Sequence, residues 1–168
     1  DLAGTYPLPA PQLDRFLFKI KMTVIDREYE LEVVRTIRER QAGPGAELPT
    51  VTRDEVVAAR KAVRERIHVH PMVEEGLVDV ATALRSDRRV LQGVSTRSLV
   101  LAVPALQARA MLQGRDYVAA EDLESLLPLI FGHRLVLSAG SAEADEVIAA
   151  GIKPVIERLA KASLTART

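Results

Sequence analysis

Apolar residues recur every three or four positions in one stretch after another of this 168-residue chain, and most stretches are closed by a glycine, a proline or a polar cap. Such spacing puts one apolar stripe on a helix, and striped helices joined by short loops bury their stripes against each other in a bundle. From Asp26 to Gln41, Leu31, Val34 and Ile37 share a face opposite Arg35, Arg38, Glu39 and Arg40, and Gly43-Pro44-Gly45 stops the helix. Thr52-Arg53-Asp54-Glu55 reads as a capping box opening a helix with Val56, Ala59, Val63 and Ile67 on one side. After the break at His68-Val69-His70-Pro71, residues 72 to 85 place Val73, Leu77, Val80, Ala81 and Leu84 on a stripe. Ser95 caps a helix over 96 to 113, kinked at Pro104 and ended by Gly114. Residues 120 to 131 turn Leu123, Leu126, Leu127 and Ile130 inward, and the tail predicts a helix broken between Gly151 and Pro154. Only Phe16 to Met22, alternating apolar and basic residues after Phe18, predicts a strand. The expected class is mainly α, a helical bundle with one short strand.

Composition narrows the function. Lys plus Arg and Asp plus Glu both number 23, so the net charge is zero and bulk affinity for nucleic acid is not expected. With no Cys, disulfides and thiol chemistry are excluded. The longest apolar run, Leu99 to Leu106, contains Pro104 and falls far short of the roughly 20 residues that span a bilayer. Asp1-Leu2-Ala3-Gly4 has neither the basic nor the apolar region of a signal peptide, so a cytoplasmic protein is expected. The chain lacks an initiator Met and reads as a piece of something longer.

Of the 23 basic residues 18 are Arg, whose planar fork suits phosphate, and two of them stand at telling places. Arg15 follows the Pro-rich stretch Gly4 to Pro11 at the mouth of the predicted strand, where it is held at a domain edge; the plainer alternative pairs it with Asp14. Arg97 lies in the first turn of the helix opened by Gly93-Val94-Ser95-Thr96. There a cation opposes the helix dipole unless an anion is bound, although a surface Arg beside an ordinary cap would look the same. His68 and His70, with His133 far downstream, lack the spacing of a metal site, and none is expected. No GxxxxGK[ST], GxGxxG or GxSxG occurs.

Taken together, Gly4-Thr5-Tyr6-Pro7-Leu8-Pro9 with Gln12-Leu13-Asp14-Arg15-Phe16-Leu17-Phe18-Lys19-Ile20, then Gly93-Val94-Ser95-Thr96-Arg97, then Gly114-Arg115-Asp116-Tyr117-Val118 with Glu121-Asp122-Leu123 and His133-Arg134-Leu135, resemble the C-terminal part of a MoxR-type AAA+ ATPase. The resemblance implies that residues 1 to 25 are the end of the αβα nucleotide-binding core, 26 to 137 a helical lid, and 138 to 168 a helical extension. It implies Arg15 as an arginine finger reaching the γ-phosphate held by an adjacent subunit, and Arg97 as sensor 2 on the subunit's own nucleotide. ATP and Mg²⁺ would serve the intact protein, a hexameric ring acting as a chaperone-like remodeller, with a von Willebrand factor A protein as a partner. The fragment alone, without Walker A and B, would be inactive and hold neither ATP nor Mg²⁺. A magnesium-chelatase-like subunit and a non-catalytic helical adaptor are the alternatives.

Overall fold

A computed structural model describes residues 8–41, 43, 49–140 and 143–165. It divides the chain into one unit of residues 20–59 and another of residues 1–19 with 60–168. The Gly4-Thr5-Tyr6-Pro7 stretch and Pro44-Gly45 of the predicted stop lie outside the described residues.

In the smaller unit the single helix expected over 26 to 41 is two, α2 (Arg27–Arg35) and α3 (Ile37–Gln41). Thr36 divides them: its hydroxyl donates to the Glu32 carbonyl at 2.8 Å, the side-chain competition that bends helices at Ser and Thr. Neither helix buries a residue, and Val34 and Ile37 of the expected inward face are exposed. The strand expected over Phe16 to Met22 does not form. Alternating residues make a strand only if a neighbour takes up their backbone groups, and this segment's bonds go elsewhere, as Lys19 N–H donating to the Leu129 carbonyl at 3.0 Å shows. The capping box does form: the Thr52 hydroxyl accepts from Glu55 N–H at 3.2 Å, and the Glu55 carboxylate accepts from Thr52 N–H at 2.7 Å. It opens α4 (Arg53–Arg66), which runs on into the larger unit.

The larger unit holds α1 (Ala10–Leu13), α5 (Pro71–Ser86), α6 (Thr96–Leu112), α7 (Ala120–Phe131) and α8 (Ala144–Thr165). Stripes read from the sequence form its core: Val80, Leu84, Leu106, Leu123, Leu127, Ile130 and Phe131 are almost wholly enclosed. Each such side chain contributes about 1.5–3 kcal/mol relative to exposure. β1 (Val90–Gln92) and β2 (Val136–Leu137) pair antiparallel, Val90 opposite Leu137, with an irregularity between Val90 and Gln92. Strands of three and two residues are too short to carry a periodic signal.

α8 corrects the expectation of a broken helix, because it continues through Gly151 and Pro154 for 22 residues. An interior proline costs about 3 kcal/mol by propensity. Burial of Val147, Ile148, Ile152 and Val155 against α5 and α7 offsets it.

Candidate functional site

Residue 14 stands just after α1, at the end of a turn in which Arg15 N–H donates to the Gln12 carbonyl at 3.1 Å and Phe16 N–H to the Leu13 carbonyl at 3.1 Å. The Asp14 carboxylate accepts from the hydroxyls of Ser95 at 3.0 Å and Ser98 at 3.1 Å, and from Nε of Arg134 at 2.9 Å. Burial would raise the Asp14 pKa, but hydrogen bonds from Arg134, Ser95 and Ser98, with the charge of Arg134, hold it below the ordinary value.

Arg134 is buried, and its guanidinium also donates to the carbonyls of Asp14 at 3.2 Å, Phe16 at 2.5 Å and Leu17 at 3.3 Å, and to that of Ile130. One side chain therefore fastens residues 14–17 to the C-terminal end of α7. His133 adds a second tie at 3.0 Å to the Phe16 carbonyl, and since a carbonyl only accepts, its Nε2 carries the proton. Beside this cluster lies a cavity of about 460 Å³ lined by Leu8, Pro11, Gly93, Ser95, His133 and Val136 among others.

Arg97 occupies the second position of α6. Ser95 is the N-cap, its hydroxyl accepting from Ser98 N–H at 3.3 Å. The turn before the cap is pinned from α5, where Arg85 Nε donates to the Val94 carbonyl at 2.9 Å and leaves no room for a side chain at position 93. Arg15 and Arg97 are both exposed, and among the described residues neither guanidinium has a hydrogen bond or ion pair. Asp14 is thus taken by Arg134, not by Arg15. The segments carrying the two arginines meet through Asp14, bonded to residues on either side of Arg97.

The histidine pair serves otherwise. Nδ1 of His70 accepts from Met72 N–H at 3.2 Å and so caps α5, while His68 sits edge-on to it, ring centroids 6.2 Å apart. Farther along, Arg115 forks onto Asp122 at 2.8 and 2.7 Å, and Asp122 also accepts from Ala119 N–H at 2.8 Å, closing the start of α7. That pair is the physical content of the motif running from Gly114 to Leu123.

An AAA lid domain model matches residues 82–154. The chain is 33% identical over 134 residues to YeaC of Bacillus subtilis, an uncharacterized protein, covering 80% of this chain and 41% of that one. It is 33% identical over 153 residues to the chaperone MoxR1 of Mycobacterium tuberculosis, covering 86% of this chain and 39% of that one. Protein MoxR of Methylorubrum extorquens is 27% identical over 157 residues, 79% of this chain and 44% of that one. The chain is similar to the C-terminal part of MoxR-type AAA+ ATPases. A crystal structure of a candidate ATPase from Cytophaga hutchinsonii superposes with a TM-score of 0.78 at 26% identity, over 91% of this chain and 50% of that one.

The chain spans about two fifths of the length of the curated relatives it matches. Its lid match takes in α6, α7, the β1–β2 pair and the first half of α8. The sequence singled out Arg15 and Arg97 but missed Asp14 and Arg134 as partners. Arg134 carried one signal, an Arg just after an apolar helix at the edge of the core.

Proposed function

We propose that this chain supplies the lid and two phosphate-facing arginines of a MoxR-type ATPase that assembles as a hexameric ring and remodels partner proteins in the cytoplasm. One observation carries the reading: two exposed guanidiniums, without partners among the described residues, flank a single anchored carboxylate, and one of them lies in a helix first turn that favours an anion.

In this reading residues 1–25 are the end of the nucleotide-binding core, 26–137 the lid and 138–168 its extension. Arg15 reaches the γ-phosphate held by the adjacent subunit. Arg97 contacts the phosphates of its own subunit's nucleotide. Phosphoryl transfer spreads negative charge over the γ-phosphate oxygens, and a guanidinium held there lowers the barrier; fingers of this kind contribute about 10³- to 10⁵-fold in GTPases. The described residues fit the phosphate half of such a site only. They offer cations, whereas Asp14 is saturated by Arg134 and two hydroxyls, and GxxxxGK[ST] does not occur in the 168 residues. The phosphate cradle and Mg²⁺ ligands would therefore come from the remainder of the intact protein, and this chain alone would not hydrolyse ATP. The name of one relative, a chaperone, supports chaperone-like work, and a von Willebrand factor A protein is the partner this reading expects.

The test is Arg15→Ala in the full-length protein. Turnover should vanish while nucleotide affinity stays, and Arg97→Ala should weaken nucleotide binding. Normal turnover in Arg15→Ala would overturn the finger assignment.

A further inference from the structure

The two arginines are mechanically joined inside one chain, and the joint has an unusual composition. On one side Arg134 fixes residues 14–17 with one ion pair to Asp14 and three backbone carbonyls, and holds Ile130 of α7 with a fourth, so Asp14 cannot leave without uncovering a buried guanidinium. On the other side the ties to α6 are neutral hydroxyls, Ser95 at 3.0 Å and Ser98 at 3.1 Å, whose protons can turn to another acceptor and which are weaker than charged donors. The two hydroxyl oxygens lie 3.1 Å apart, so either proton can turn from Asp14 to the other serine, and Ser95 is the cap that sets where α6 begins. The hydroxyl contact is therefore the part able to break and reform while Asp14 stays in place.

We propose that Asp14 is a positioning residue coupling two nucleotide sites: displacement of the α6 start by the nucleotide at Arg97 passes through Ser95 and Ser98 to Asp14, and so to the aim of Arg15 at the neighbouring subunit's nucleotide. This rests on reading Arg97 and Arg15 as phosphate ligands. Residue 14 is covalently next to the finger, and residues 95 and 98 bracket Arg97. No intervening side chain is needed. A carboxylate serving stability alone would need only Arg134; the two hydroxyls from a different helix tie it to the one turn where nucleotide is sensed. Asp14 touches no phosphate in this scheme and acts through the residue beside it.

The variant that isolates the coupling is Ser95→Gly/Ser98→Ala in the full-length protein. It keeps the Asp14–Arg134 pair, and glycine replaces a serine cap at little cost. Turnover at saturating ATP should fall on the order of tenfold, as misplacement of a positioned group does, while affinity for a fluorescent ATP analogue stays within about twofold. Arg15→Ala is measured beside it. If Arg15→Ala abolishes turnover but the serine variant turns over normally, the coupling is wrong and the finger reading survives. If the serine variant loses affinity and turnover in the same proportion, the serines merely hold Arg97 and the coupling is again wrong. If Arg15→Ala turns over normally, the finger reading fails and takes the coupling with it.

Discussion

Nε of Arg134 donates to the Asp14 carboxylate at 2.9 Å across 120 positions of sequence, with the Arg134 side chain 3% exposed and that of Asp14 26% exposed. The pair holds an otherwise irregular N-terminal segment against α7, because the same guanidinium takes up four backbone carbonyls.

Replacing Arg134 by Met keeps much of the volume and removes every one of those donors. The carbonyls of Phe16, Leu17 and Ile130 lose their charged partner and Asp14 loses its counter-ion, so stability should fall by about 3 kcal/mol in urea unfolding. Hydrogen exchange should show residues 14–19 losing protection before the core of α5 to α8 does. Arg134→Lys should recover only part of the loss, since one ammonium cannot reach a carboxylate and four carbonyls together.

Acid should act in two steps. Burial lowers the His133 pKa, helped by the charges of Arg134 and Lys19 and opposed by its backbone hydrogen bonds, so the folded chain keeps this ring neutral below 6.5, where the unfolded chain takes up a proton. Stability should begin to fall as pH drops below about 6.5, and His133→Gln should remove that upper limb. For Asp122, burial raises the pKa but the hydrogen bonds from Arg115 and Ala119, with the charges of Arg115 and Arg109, bring it below the ordinary 3.8. Its contribution is complete above that value and drains as pH falls through the folded pKa, and Asp14 behaves alike. Asp122→Asn should flatten the lower limb of a plot of unfolding free energy against pH.

The helices of the larger unit were legible because their stripes are local: Val73 to Leu84 and Leu123 to Ile130 need only their own spacing to declare a buried face. The Asp14–Arg134 pair was not, since nothing near either residue marks a partner 120 positions away, and Arg15 offered Asp14 a nearer one. In the tail, Gly151 and Pro154 argued locally for a break that burial of Ile152 and Val155 overrides. Leu31, Val34 and Ile37 share a helical spacing too, yet that face is not enclosed within its own unit, because spacing tells which residues could be buried and not what covers them. Arg15 and Arg97, singled out by their places in the sequence, both stand exposed.

Gly93 precedes the α6 cap for a steric reason. A Cβ there would lie 2.8 Å from Arg85 Cγ and 3.2 Å from Arg85 Cα, and the latter is backbone that cannot swing aside. Gly93→Ala should cost about 1–3 kcal/mol in thermal unfolding. It should also weaken the Arg85 bond to the Val94 carbonyl, the tie that sets the turn before Arg97. In the full-length protein nucleotide affinity should drop with it, and unchanged affinity would separate this turn from nucleotide binding.

Gly76 tests how α8 docks. A Cβ at this position of α5 would fall 2.6 Å from Cγ1 of Val155, closer than packed carbons approach, and a β-branched side chain in a helix has little rotamer freedom to retreat. Gly76→Ala should therefore destabilise by about 1–3 kcal/mol despite alanine's better helix propensity. Val155→Ala alone should also destabilise, through loss of a buried side chain. Combined, the added methyl enters the space the valine left, and the double variant should be more stable than the sum of the single losses predicts, by 1 kcal/mol or more. Strict additivity in chemical denaturation would mean that α8 does not lie on α5 at this point. Recovery would instead fix the register of the helix that sequence had read as broken.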